Sequence, residues 1–141
     1  VPLAVRDSWG AFIDQQQDRC WAVARPEADG TRRGSAAAYV AMARGTLPRL
    51  QITTAGPVAT ARLLIDGQAI PLAGSDTLWW PAAADARVLR ALRGGRTMTV
   101  AGRGADGRVI RHRFLLGGAA TAIDAAILAC APSRPVANRP Q

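Results

Sequence analysis

The 141-residue sequence predicts a mainly β fold, an antiparallel β-sandwich or flattened barrel with one short helix and a C-terminal helix. Three observations lead there. Asp66-Gly67 and Asp106-Gly107 each stand between apolar runs, the strongest short-range mark of a β-hairpin. Large apolar residues alternate with polar or small ones beside the second turn. Only two segments replace that period of two with spacings of three and four.

Taken in order, strands are expected over Cys20–Ala24, Ala37–Ala43, Arg49–Thr54 and Val58–Ile65, with a turn at Asp29-Gly30. The first hairpin joins Ala61–Ile65 to Gln68–Leu72, and the second joins Thr97–Arg103 to Arg108–Leu116. In the second, Met98 and Val100 alternate with Thr97, Thr99 and Ala101, and Ile110, Phe114 and Leu116 share a face with His112. At the extended step Trp79-Trp80-Pro81, neighbouring side chains point to opposite faces, so one tryptophan enters the core and the other is partly exposed.

Asp85–Gly95 reads as a short helix with Asp85 as N-cap, Gly94 as its stop and Val88, Leu89 and Leu92 as its buried stripe. Arg90 and Arg93 suit the negative end of its dipole. In Ala119–Ala129, residues Ala119, Ile123, Ala126 and Ile127 fall on one helical face together with Cys130, which turns that cysteine toward the core. Residues 1–131 are expected to form a single domain. Residues 132–141, with three prolines and no apolar period, are expected to be an extended tail outside the fold.

Composition narrows the interior and the partners. Aromatic residues are only 5% of the chain and alanine is abundant, so small side chains must fill much of the core. Trp9, Phe12, Trp21, Tyr39, Met42, Trp79, Trp80, Met98 and Phe114 are the expected anchors. No run approaches the roughly 18 apolar residues of a membrane-spanning helix. The net charge is +8, carried by 18 arginines and no lysine. Such a surface suits phosphate and carboxylate groups, although an arginine- and alanine-rich chain is also what a GC-rich genome produces. The arginines are spread rather than gathered into a basic run, and no nucleic-acid partner is expected.

Cys20 and Cys130 stand near the two ends of the domain, and with one histidine in the chain no Cys/His metal site can be assembled. Their placement predicts one long-range disulfide; two separate buried thiols are the alternative. A disulfide implies an oxidising compartment. The sequence begins at Val1 rather than Met, as expected of an exported precursor whose signal peptide has been removed or omitted.

No constellation resembles an active site. A triad would have to pair His112 with Ser8, Ser35 or Ser75, none of which sits in a G-x-S-x-G turn. Packing accounts for His112, which alternates onto an apolar strand face. Asp66 and Asp106 read as turn residues, Asp85 and Asp124 as helix-start residues. Gly102–Gly107 lacks the G-K-[ST] of a phosphate loop and leads into a strand. No cofactor is expected. Partner-binding candidates are an arginine group on the second hairpin (Arg103, Arg108, Arg111, Arg113), the Trp79-Trp80 step, and Arg134 and Arg139 in the tail.

Residues 85–130 carry a family resemblance. Asp85-x-x-Val-Leu-Arg-Ala-Leu-Arg-Gly-Gly-Arg-x-Met-Thr-Val, then Gly107-Arg-Val-Ile, then Phe114-Leu-Leu-Gly-Gly-Ala-Ala-Thr-Ala-Ile, resembles the invasion-associated locus B family of alphaproteobacteria. Trp9 followed by Cys20, and the ending Ala125-Ala-Ile-Leu-Ala-Cys130, agree with it. The resemblance implies an exported, periplasmic or envelope-associated β domain without recognised catalytic residues. The chain lacks the additional cysteines of longer members, and Gly118 stands where many relatives have phenylalanine. The expected function is therefore non-catalytic: binding another protein, as an accessory subunit of an envelope complex. The alternatives are binding anionic envelope lipid or glycan through an arginine face, and a host-interaction role.

Overall fold

The computed structural model describes residues 2–6, 8–27, 36–83 and 86–132. Along the chain run β1 (Pro2–Arg6), β2 (Trp9–Asp14), β3 (Arg19–Ala24), β4 (Ala37–Ala43), β5 (Arg49–Val58), β6 (Thr60–Ile65), β7 (Gln68–Pro81), α1 (Ala86–Gly94), β8 (Thr97–Arg103), β9 (Val109–Leu115) and α2 (Ala119–Ala129). Both Asp-Gly turns join antiparallel strands, β6 to β7 and β8 to β9. The expected Asp29-Gly30 turn, Ser35, the Asp85 cap and the tail residues from Ser133 on, with Arg134 and Arg139, lie outside the described residues.

The strands form one antiparallel sheet in the order β1-β2-β3-β4-β5-β7-β6-β8-β9, bent into two leaves and not closed into a barrel. The bend lies in β7, which runs to Pro81 rather than ending at Leu72. Its first part pairs with β6 (Arg62 opposite Pro71) and its last part with β5 (Ile52 opposite Trp79). Between these, Gly74 has φ +144° and Asp76 φ +56°. The strand folds so tightly there that a Cβ on Gly74 would sit 2.3 Å from the Leu78 carbonyl oxygen. The Ala82 amide then donates to the Pro71 carbonyl at 2.9 Å. Only glycine permits that approach. β5 likewise continues past Thr54 to Val58, so the strand expected over Val58–Ile65 begins only at Thr60.

The core lies between the inner faces of the leaves and the helices. Trp9, Ile52, Leu63, Leu92, Met98, Phe114 and Ile123 are fully buried there. α2 packs across β1, β2 and β3 with Ala119, Ala122, Ile123 and Ala126 turned inward. It faces a floor of Ala11, Cys20, Ala22 and Ala38, all fully buried. Small residues on both sides let the backbones approach closely. Asp124 stands mid-helix rather than at the helix start, and its carboxylate pairs with Arg93 of α1 at 2.9 Å. The Cys20–Cys130 disulfide joins β3 to the end of α2 (Cα–Cα 6.0 Å). The Gly45 amide donates to the Cys130 carbonyl at 3.1 Å, fixing that end against the β4–β5 turn.

β9 is an edge strand, and two of its carbonyls are occupied. The Glu27 amide donates to Arg113 O at 2.7 Å, and the Trp9 indole Nε1–H donates to Leu115 O at 2.9 Å. Capping an edge in this way limits further strand pairing.

Candidate functional site

Because side chains alternate along a strand, each leaf has an inner face in the core and an outer face. The two outer faces differ sharply in chemistry.

On the first leaf (β1–β5 and the end of β7), the outer face is aromatic. Phe12 of β2 lies opposite Trp21 of β3, with ring centroids 6.5 Å apart and planes 26° from parallel. One row along, Val23 lies opposite Tyr39 of β4, and Tyr39 opposite Gln51 of β5. Trp80 and Leu78 of β7 complete the surface, each 41% exposed. Phe12, Trp21, Val23 and Tyr39 are half-buried and belong to the sheet rather than the core cluster. Among the described residues no helix or strand packs over Phe12, Trp21 and Tyr39; α2 covers the opposite side, and α1 approaches only the β7 end. A cleft of about 280 Å³ opens at its β7 end, lined by Arg49, Gln51, Leu78, Trp80 and, from α1, Val88 and Leu89.

Four of the nine residues expected to anchor the core (Phe12, Trp21, Tyr39 and Trp80) thus lie on this outer surface. Trp79 enters the core, 5% exposed, with its Nε1–H donated to Asp76 O at 3.2 Å. Its neighbour Trp80 faces outward. The outward position of Phe12, Trp21 and Tyr39 has one signal in the sequence, the alternation of Cys20, Ala22 and Ala24 with Trp21 and Val23, which separates a small face from a large one.

On the second leaf (the start of β7, β6, β8 and β9), the outer face is basic. Arg111 of β9 lies opposite Ala101 of β8, and Ala101 opposite Arg62 of β6. Arg103, two residues on from Ala101, lies opposite Val109. All three arginines are exposed. Arg113 shares the face, but its guanidinium pairs with Glu27 at 2.8 Å. Arg108 sits in the turn, where its amide donates to Asp106 Oδ1 at 3.0 Å. The hairpin arginines are therefore brought together, with Arg62 as an addition from a distant strand, while Trp80 stands on the other leaf. The two groups form separate surfaces.

His112 lies on the inner face, 5% exposed, and its Nε2 accepts the Ala55 amide at 3.1 Å. That bond ties β9 to β5. Ser8 and Ser75 are exposed. Among the described residues no three His, Cys, Asp or Glu side chains group in a way that would hold a metal ion, and no helix is long and apolar enough to cross a membrane.

Comparison of the fold with solved structures gives a match. The crystal structure of invasion associated protein B from Bartonella henselae superposes with a TM-score of 0.60 over 91% of this chain and 96% of that one, at 15% identity. The chain has the fold of that protein. No family profile matches the sequence, and no curated protein matches it. The β architecture implied by the resemblance over residues 85–130 is the one observed, and at this identity the likeness extends to the fold alone.

Proposed function

We propose that the protein is an exported, non-catalytic binding module of the bacterial periplasm or envelope that holds a protein partner on the aromatic outer face of its first leaf. One observation carries this reading: Phe12, Trp21 and Tyr39, half-buried, and Trp80, exposed, share a sheet face that no described helix or strand covers, with Arg49 at its margin. Trp, Tyr and Arg are the residues that dominate binding energy at protein interfaces, and exposed apolar patches of this kind mark them. The partner's complementary surface is apolar at its centre, with a carboxylate placed to meet Arg49. The buried Cys20–Cys130 bridge supports export, because such bonds persist in oxidising compartments. No cofactor or nucleic acid enters this reading. The fold shared with an invasion associated protein does not by itself assign a host-interaction role.

The test is co-purification from the native envelope, comparing the wild-type chain with Trp80→Ser and Tyr39→Ser variants. A stoichiometric protein retained at high salt by the wild type and lost from both variants is the expected result. Retention of the same protein by both variants refutes the assignment of this face.

A further inference from the structure

We infer that the arginine face of the second leaf is a separate docking surface for an anionic membrane surface. The inference is independent of the aromatic face and rests on different residues. Arg62, Arg103 and Arg111 come from three adjacent strands, β6, β8 and β9, whose pairing places them on one face of the sheet. Neighbouring strands are about 4.8 Å apart. Arg62 and Arg111, two strands apart, therefore stand about 10 Å from one another, with Arg103 between their strands.

Among the described residues none of these three guanidinium groups meets a carboxylate. Arg103 Nη1 makes one long bond to the Gly107 carbonyl, 3.4 Å. Glu27 is paired with Arg113, while Asp106 stays in the β8–β9 turn, where its carboxylate accepts the Arg108 amide and forms no ion pair with these three arginines. With three arginines on the face and Asp106 at its turn end, the patch is net positive, which complements phosphate-bearing headgroups.

Shape and apolar content favour a membrane over an acidic chain. Among the described residues, the clefts beside Trp80, between α1 and Asp66, and along Trp9, Phe12 and Tyr39 involve none of these arginines. The patch is the surface of a sheet, suited to a planar array of charges rather than to enclosing a segment. Val109, directly opposite Arg103, is 62% exposed, and Leu115 at the other end of β9 is 38% exposed. Exposed apolar side chains among arginines allow shallow insertion between headgroups while the guanidinium groups stay at phosphate level. With the aromatic face on the other leaf, the protein can rest on a membrane and still hold its partner.

The probe is vesicles of phosphatidylcholine and phosphatidylglycerol in equal parts, compared with vesicles of phosphatidylcholine alone, in a sedimentation assay. The wild-type chain should bind the anionic vesicles only, and more weakly as salt rises. Each arginine near such a surface contributes about fivefold, equivalent to about 1 kcal/mol. Arg62→Gln, Arg103→Gln and Arg111→Gln together should therefore weaken binding about 100-fold, while the corresponding triple lysine variant should retain most of it. A charge-matched control, Arg19→Gln with Arg90→Gln and Arg96→Gln, should stay within about threefold of the wild type if position rather than net charge decides. Equal loss in control and patch variants overturns the inference. So does retention on immobilised polyaspartate without binding to anionic vesicles, since that result assigns the face to an acidic polypeptide. Loss of vesicle binding with the co-purified protein retained separates this face from the aromatic one.

Discussion

Replacing Cys20 and Cys130 together with alanine tests the link between the sheet and its covering helix. The bridge has a sequence separation of 110. For a loop of that length the chain-entropy relation gives about 5 kcal/mol, against the roughly 5–15 kcal/mol that stabilises a typical domain. Cys20 is fully buried and Cys130 is 3% exposed. Loss of two packed sulfurs therefore adds to the cost, while residual order in the reduced unfolded chain subtracts from it. In thermal unfolding the expected fall in Tm is about 10–20 °C for a chain this size. Urea titrations of the oxidised wild type, each single variant and the double variant provide the assay. The bridge is lost at the first substitution, so the single and double variants should agree within about 1 kcal/mol. A double-variant loss below about 1 kcal/mol, or single losses that simply add, would refute the reasoning.

Three further substitutions probe particular contacts. His112→Leu should destabilise by about 1–3 kcal/mol, because it leaves the Ala55 amide without its acceptor; His112→Gln, which restores an acceptor, should cost less in the same urea titration, and equal losses would count against the bond. Gly102→Ala should cost about 1–3 kcal/mol, since its Cβ would meet Val58 Cγ1 at 2.9 Å, and pairing it with Val58→Ala should recover part of the loss in a double-mutant cycle. Trp80→Ala should cost about 1–3 kcal/mol of stability, because the chain itself covers more than half of the indole, and should also weaken partner binding by up to about 2.5 kcal/mol, the worth of covering the exposed two-fifths; isothermal titration with the co-purified protein, set beside the melting curve, checks both halves.

Local signals made the second half of the chain legible. The Asp-Gly turns place β6, β7, β8 and β9, and the spacing of Ala119, Ile123 and Ala126 places α2 over its full length. The first half was harder for physical reasons. β1 and β2 are short strands, the first opening at Pro2 and the second containing Gly10, and although they pair with each other across a two-residue connection (Arg6 opposite Trp9), no Asp-Gly or similar turn mark announces it. β7 carries Pro71 and Gly74, ordinary strand breakers, which here permit the fold of the strand over itself. That Arg62 joins Arg103 and Arg111 depends on the pairing of β6 with β8, across 30 or more residues that no local pattern connects. Which tryptophan of the pair faces outward is likewise decided by the register of β7 on β5.

The distribution of large and small residues argues that the aromatic face is used. Burying an aromatic side chain is among the most stabilising ways to build a core, and this chain has only seven of them. Trp9, Trp79 and Phe114 are buried. Where α2 meets β1–β3, however, the sheet offers alanine and cysteine, while Trp21 and Phe12 on the same strands turn the other way. A one-residue change of register would exchange the two faces, so the arrangement is set by the hydrophobic pattern rather than left free. The small inner face is what lets α2 approach closely and Cys130 reach Cys20. That requirement explains the alanines but not the aromatic residues opposite them, which polar side chains could replace without disturbing the helix. The proposed partner-binding role accounts for their presence on a face that no described element covers. The expected signature is that Trp21→Ser and Phe12→Ser, which also lose the half-buried ring contact and so unfold at slightly lower urea, stay folded but abolish association with the partner. Unfolding at markedly lower urea with association intact would instead make these residues structural.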